Sequence, residues 1–293
     1  EIGPRVLRRS VKSPTTEGSS RTYGGGLLSM GLSFDGEKES RNVLKVENLS
    51  VARSGRIVVE GVNIEIGEGE FVGLVGPNGS GKTTLLLTIL GLLKPVPVMG
   101  GRVLVYGKES LSRGDLVKIG WVPQAAANLP KHIRITVREL VRLGTLNVKN
   151  MFWPIDSGQS EKVEKALEMV GLFELAATDV SKLSGGQLQR AVIARALASE
   201  ADFLLLDEPL VGVDLASRNS LLRLLDDLCH EENKTVLMVS HDVTAITQAA
   251  HRIIYLEGSV RFDGPSEEIP DFSSLAGLRG IRHVHGYERH HGH

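Results

Sequence analysis

Eight consecutive residues, Gly76-Pro77-Asn78-Gly79-Ser80-Gly81-Lys82-Thr83, leave this chain few possible architectures. They fit the pattern GxxxxGK[ST], in which glycines let backbone amides converge on phosphate oxygens and a helix N-terminus adds partial positive charge. In this pattern Lys82 holds the β- and γ-phosphates and Thr83 ligates Mg²⁺, and residues Gly76 to Thr84 are expected to line a nucleotide. Such a loop works only between a strand and a helix. Phe71 to Val75 reads as a short apolar strand and Lys82 to Leu92 as a helix, so an α/β core is expected.

A second constellation lies further along. Phe203-Leu204-Leu205-Leu206-Asp207-Glu208 is an apolar strand ending in two carboxylates, which alternation sends to opposite sides. Asp207 is expected to hold the magnesium shell through water, because Mg²⁺ dehydrates reluctantly. Glu208 is expected to orient and deprotonate an attacking water. Two acids at a strand end, taken alone, read as a solvated turn; the phosphate loop upstream is what gives them chemistry.

Residues 1–42 are rich in Ser and Gly, including Gly24, Gly25 and Gly26, and show no periodicity, so an extension without regular structure is expected. From Val43 the pattern is strand-like, with Leu44, Val46 and Leu49 and then Ile57 to Ile66, before a turn at Gly67 and Gly69. Val103 to Tyr106 and Ile119 to Val122 read as strands. Helical spacing then dominates from Thr136 to Ala198, marking an inserted helical region over about residues 125–185. The chain returns to α/β with a helix bearing Leu221, Leu222, Leu225 and Leu228, a strand Val236 to Val239, a helix and two strands ending near Phe262. The folded domain is expected to span 43–268, followed by a polar tail, 269–293.

Lys and Arg number 34 against 35 Asp and Glu, giving a net charge of -1 and no footprint for nucleic acid. Cys229 is the only cysteine, which excludes an internal disulfide and a cysteine-based zinc site and suits a reducing compartment. It falls on the apolar side of its helix, as a buried inert thiol. The longest apolar stretch, Leu85 to Leu93, is broken by Thr88 and Gly91 and closed by Lys94. That is far short of the roughly 20 residues that span a bilayer, so a membrane role is expected to run through a partner. Arg5, Arg8 and Arg9 precede no apolar run, so the N-terminus does not read as a secretory signal.

Leu183-Ser184-Gly185-Gly186-Gln187 resembles the signature sequence of the ABC (ATP-binding cassette) ATPases. In order along the chain, Gln124 in Trp121-Val122-Pro123-Gln124 resembles the Q-loop glutamine, Asp214 the D-loop aspartate and His241 in Ser240-His241-Asp242 the switch histidine. The resemblance covers about residues 43–265. It implies a P-loop NTPase (RecA-like) core with an antiparallel β subdomain and an inserted α-helical subdomain. It also implies hydrolysis of ATP with Mg²⁺ in a dimer of two copies that sandwiches two ATP molecules. In that dimer Ser184, with Gly185, Gly186 and Gln187, contacts the γ-phosphate held by the second copy, and Gln124 reaches the magnesium and the attacking water. His241 is a hydrogen-bond donor to the γ-phosphate. From the residues alone, Ser184 is equally a helix N-cap and His241 equally a satisfied structural histidine.

At one position the chain departs from the family. Where these ATPases place an aromatic residue that stacks on adenine, this sequence has Arg53. A guanidinium can stack on a base, or Arg53 is an exposed turn residue; a modest preference for ATP over GTP is expected.

One phosphate loop, one signature and no spanning segment resemble the separate ATPase subunits of importers. That implies integral membrane permease subunits, an extracytoplasmic solute-binding protein acting indirectly, and a place at the cytoplasmic face of the cell membrane. Ile119-Gly120-Trp121-Val122-Pro123-Gln124, Val211-Gly212-Val213-Asp214 and Val236 to His241 are similar to the zinc and manganese uptake subgroup. Other cargoes (manganese, iron chelates, another small solute) and a soluble cassette ATPase without transport remain alternatives. His283, His285, His290, His291 and His293 crowd the C-terminus, either as a zinc buffer or sensor or as a solvated tail. Met151, Phe152 and Trp153 in the insertion are either a docking contact for the membrane subunit or ordinary packing.

Overall fold

The structure, a computed structural model, describes residues 42–109, 119–124, 134–146 and 157–270. In chain order the strands and helices are β1 (Asn42–Arg53), β2 (Arg56–Gly67), β3 (Phe71–Val75), α1 (Lys82–Ile89), β4 (Arg102–Val105), β5 (Lys108–Glu109), β6 (Ile119–Val122), α2 (Val137–Arg142), α3 (Ser157–Met169), α4 (Gly185–Leu197), β7 (Phe203–Asp207), α5 (Leu215–His230), β8 (Thr235–Ser240), α6 (Val243–Thr247), β9 (Arg252–Glu257) and β10 (Ser259–Pro265).

The strands form two sheets. A four-stranded antiparallel sheet has the order β2-β1-β4-β5, and a six-stranded sheet has the order β10-β9-β3-β8-β7-β6. In the larger sheet β9, β3, β8, β7 and β6 are parallel, and β10 returns antiparallel at the edge. The β1–β2 hairpin closes on Ser54 and Gly55, whose φ values of 52° and 76° suit a tight two-residue turn between right-twisted strands.

Alternation along the central strands divides the core in two. Phe71 and Val75 of β3, Leu204 and Leu206 of β7, and Val236 and Met238 of β8 face the layer built from α2, α3, α4 and α5. Val72, Leu74, Phe203, Leu205, Leu237 and Val239 face the opposite way, onto α1 and the antiparallel sheet. Because both faces are covered, β3 and the Phe203–Leu206 run of β7 are apolar throughout rather than alternating, and all five residues of each strand, Asp207 included, are buried.

Helix α1 is shorter than the sequence pattern suggests, ending at Ile89 rather than Leu92. Gly91 adopts φ 69° just past the end, its amide bonds back to Thr88 and that of Leu92 to Leu87. This pairing satisfies the last free carbonyls and stops the helix inside an apolar run. The two-residue strand β5 has no counterpart in the sequence reading. Helices α2, α3 and α4 pack on one another around Val137, Leu140, Val163, Leu167 and Ala191. Among the described residues, no helix is long and apolar enough to cross a membrane. Residues 1–41, Met151, Phe152 and Trp153, and the C-terminal histidines His283 to His293 lie outside the described residues.

Candidate active site

Strand register sets this site. β3 ends at Val75 opposite Ser240, and β7 ends at Asp207 opposite Val239, so the carboxyl ends of β3, β7 and β8 come together. Beyond them opens a cavity of about 430 Å³, bounded by residues 78–84 with Arg53, Val58, Gln124 and Glu208. This is the position, outside the carboxyl ends of a parallel sheet, where such folds take ligands.

The loop after β3 is shaped by close approaches that exclude side chains. A Cβ on Gly76 would lie 2.1 Å from the Leu256 carbonyl oxygen, and one on Gly81, at φ 102°, would lie 2.7 Å from Val59 Cγ2. Within the loop Lys82 is almost wholly buried, and its Nζ donates to the carbonyls of Gly76 at 2.9 Å and Pro77 at 3.0 Å. Burial holds the Lys82 ammonium below the usual lysine range, because no carboxylate among the described residues pairs with it directly. Ser80 Oγ is buried and has no hydrogen-bond partner among the described residues, although Ser80 borders the cavity.

Behind the loop, Thr83 Oγ1 donates to Asp207 Oδ1 at a long 3.4 Å. Asp207 is 5% exposed, and burial pushes its carboxyl above the ordinary aspartate value, against the pull of the Thr83 bond. Among the described residues the site thus holds a buried ammonium and a buried carboxylate, each lacking a counter-charge at contact distance, together with an orphaned hydroxyl. An anion with a hard divalent cation supplies the missing partners, so the residues present fit a magnesium-bound nucleotide.

Glu208 sits one residue past β7 with φ 54°, a conformation that costs a non-glycine residue energy and recurs where function demands it. Its amide bonds to the Val239 carbonyl at 3.1 Å, which fixes it against β8. His241, just past β8, reaches across so that its Nδ1 lies 2.6 Å from Glu208 Oε2. Gln124 is exposed at the rim. Arg53 borders the cavity from the end of β1.

The structure does not bring Ser184, Gly185, Gly186, Gln187 or Asp214 to this cavity. Ser184 and Gln187 instead form a reciprocal cap on α4: the Gln187 amide donates to Ser184 Oγ at 3.2 Å, and the Ser184 amide to Gln187 Oε1 at 3.0 Å. Gly186 abuts α5, where a Cβ would fall 2.5 Å from Ser217 Cβ. Asp214 caps α5 by accepting from the Ser217 amide at 3.0 Å, and hydrogen bonds from the Ser217 side chain and amide hold its carboxyl below the usual range.

The sequence reading missed Val58, which walls the cavity from β2 and is identifiable only once the hairpin register is known. It also missed a cluster at the other end of the sheet, where His251 Nε2 lies 3.0 Å and His230 Nδ1 3.1 Å from Asp226 Oδ1. These three groups have the composition of a metal site. Yet His251 Nδ1 accepts the Phe71 amide at 3.2 Å, so the ring proton sits on Nε2 and is donated to Asp226. A ligating histidine donates from its other nitrogen, which this ring cannot do. The cluster is a hydrogen-bonded strut between α5 and the start of β3.

A glycine-rich phosphate loop after the central strand of a parallel sheet, with a buried acid ending the strand two positions away, defines a P-loop nucleoside triphosphatase. The ABC transporter family model matches residues 59–211, and the chain belongs to that family. It is an ATP-binding cassette ATPase, as its ordered motifs imply. Over 228 residues it is 35% identical to the zinc uptake system ATP-binding protein ZurA of Listeria monocytogenes, covering 78% of this chain and 88% of that protein. Over 216 residues it is 36% identical to the high-affinity zinc uptake system ATP-binding protein ZnuC of Bacillus subtilis, covering 74% and 91%. An inward-facing ABC transporter described as metal-chelate type has a chain that aligns with a TM-score of 0.70 and 30% identity, over 82% of this chain and 90% of that one. A dimeric ATP-binding cassette in a post-hydrolysis state with ADP and Pi aligns with a TM-score of 0.62 and 32% identity, over 77% and 100%.

Proposed function

We propose that this chain is the ATP-hydrolysing subunit of an importer for zinc. It works as a pair of copies at the cytoplasmic face of the cell membrane against integral permease subunits, with an extracytoplasmic solute-binding protein delivering cargo. The observation that carries the catalytic reading is the Glu208–His241 pair beside the phosphate loop. The choice of cargo is supported by relatives in Listeria and Bacillus that are named for zinc uptake.

Residues 76–84 cradle the phosphates of ATP, with Lys82 exchanging loop carbonyls for β- and γ-phosphate oxygens. Ser80 Oγ finds there the acceptor it lacks. Thr83, Asp207 and Gln124 would hold Mg²⁺, which would neutralise phosphate charge when bound. Arg53 stacks on the base. Ser184, Gly185, Gly186, Gln187 and Asp214 face the second copy, which explains their distance from this chain's own cavity.

Glu208 orients and deprotonates the attacking water, and His241 donates to the γ-phosphate. In the described arrangement these two groups occupy each other. While Nδ1 stands 2.6 Å from Glu208 Oε2, the ring occupies a carboxylate oxygen that the attacking water needs. The His241 ring therefore leaves Glu208 as the γ-phosphate arrives, which frees the carboxylate for water.

The domain limits are 1–42 for the extension, 43–268 for the ATPase with its helical insertion at about 125–185, and 269–293 for the tail. Met151, Phe152 and Trp153 are either a permease contact or internal packing of the insertion. The five histidines from His283 to His293 buffer or sense the imported metal; deletion of residues 281–293 weakens zinc binding and spares basal ATP hydrolysis. The deciding experiment measures total zinc, manganese, iron, cobalt and nickel in a metal-limited native host carrying wild type or Glu208→Gln. Selective loss of zinc is the expected result. Selective loss of another metal overturns the cargo, and no change in any metal overturns metal import.

A further inference from the structure

Glu208 and His241 project from the ends of two neighbouring strands, and the chain just beyond each makes few backbone hydrogen bonds. After Glu208, the segment to Asp214 is tied by two long bonds, Val211 N to Glu208 O and Val213 N to Leu210 O, both 3.3 Å. After His241, the Asp242 amide donates to Ser240 Oγ at 3.0 Å, and Asp242 Oδ1 accepts the Ala245 amide at 3.0 Å, capping α6. A small drift of either segment moves the catalytic pair apart, since the two side chains meet at a single 2.6 Å contact.

One side chain spans both segments. Arg218, in the first turn of α5, donates from Nε to the Val213 carbonyl at 2.8 Å and from Nη1 to Asp242 Oδ2 at 3.4 Å. Apart from the His241–Glu208 bond itself, no other side chain among the described residues hydrogen-bonds to both. The Arg218 and Asp242 side chains are 32% and 33% exposed, so solvent weakens the contact without dissolving it. Two acceptors in different directions suit the rigid fork of a guanidinium, whereas a lysine ammonium is a single flexible point charge. Asp242 spends one oxygen on the α6 cap and the other on Arg218, so its position is fixed from both sides.

We propose that Arg218 is a positioning residue for ATP hydrolysis. It locks the backbone after Glu208 to the turn that carries His241, so that the imidazole alone moves when it passes from carboxylate to phosphate. The same helix turn carries Ser217 against Gly186 of α4, so the lock also ties the catalytic pair to the start of the signature helix. The inference rests on the roles given above to Glu208 and His241.

The test is steady-state ATP hydrolysis by the 293-residue chain carrying Arg218→Ala, Asp242→Asn, both changes, or Glu208→Gln. Asparagine caps a helix as well as aspartate does, so Asp242→Asn keeps the Ala245 bond while removing the charged acceptor that faces Arg218. Each single change is expected to lower kcat about tenfold with KM for ATP held within about twofold, and the double variant to be no slower than either single. Unchanged kcat in both single variants overturns the proposal. So does a loss in KM alone, or a double variant whose defect is the product of the two. Should Arg218→Ala fold poorly, Asp242→Asn decides by the same kcat and KM criteria. Wild-type activity in Glu208→Gln overturns the site itself. An inactive Glu208→Gln beside fully active Arg218→Ala and Asp242→Asn overturns the positioning role alone.

Discussion

Replacing Ser80 by alanine is expected to change stability in opposite directions with and without nucleotide. Its hydroxyl is buried, the residue being 7% exposed, and lacks a partner among the described residues, whereas its backbone is well used: the amide donates to Pro77 and the carbonyl accepts from Gly258. A buried polar atom left unpaired costs about 1–3 kcal/mol, and alanine removes that cost while leaving the backbone bonds in place. Taking about 1 kcal/mol as the gain, the nucleotide-free melting temperature rises by about 2–4 °C for a domain of this size. On the proposed reading the hydroxyl meets a phosphate oxygen once nucleotide binds, and a hydrogen bond to a charged group is worth about 1.5–3 kcal/mol. Its loss weakens binding about 10- to 100-fold and removes about 1.4–2.7 kcal/mol of the stabilisation that saturating ligand provides. The variant therefore melts above wild type alone and below it with a non-hydrolysable Mg–ATP analogue. Differential scanning fluorimetry at fixed nucleotide concentration reads both signs in one plate. A nucleotide-free melting temperature at or below wild type refutes the orphaned hydroxyl, and an unchanged ligand shift refutes its contact with phosphate.

Gly144→Ala places a Cβ 1.8 Å from the Arg195 carbonyl oxygen of α4, against backbone that cannot rotate away. Denaturant unfolding is expected to show a loss of about 1–3 kcal/mol, whereas a loss below about 0.5 kcal/mol would contradict the close approach. Cys229 is buried, with its thiol pushed up to about 12, so a thiol reagent at pH 8 should label it only after denaturation. Since the unfolded thiol ionises near pH 8.5, the folded state binds more protons between there and about 12, and stability falls as pH rises through that window. The slope from this group is at most about 1.4 kcal/mol per pH unit, and Cys229→Ala should be less steep than wild type between pH 9 and 10.5. Arg53→Ala should narrow the preference for ATP over GTP in hydrolysis; an unchanged ratio removes Arg53 from base selection.

Periodicity made the frame of this protein legible. Apolar runs at Phe71–Val75 and Phe203–Asp207, with glycines or acids at their ends, are local signals, and both strands formed where those signals lie. The end of α1 was not legible, because Leu90, Leu92 and Leu93 continue the apolar pattern while Gly91, through its positive φ, stops the helix. Resemblance supplied the ordered signature, Q-loop, D-loop and switch residues, but not their arrangement. That Ser184 and Asp214 stand apart from the cavity while His241 grips Glu208 depends on strand order and register. Arg218 and the amide acceptor on His251 were invisible for the same reason. Each acts on a residue 24 and 180 positions away, respectively, and no short pattern in the sequence announces the pairing.

The contact between Gly186 and Ser217 has a mechanical meaning. Where two helices meet through long side chains, rotamers give way and absorb small displacements, like a coupling with play in it. Here glycine brings the α4 backbone to within a Cβ of the Ser217 side chain on α5, and α4 has no side chain of its own there to yield. α4 also packs on α2 and α3, so the helical insertion and the first turn of α5 are joined through one closely packed helix. The cassette behaves at this point as a lever with a stiff pivot. Any bulk added at position 186 acts as a wedge that prises the lever from its seat.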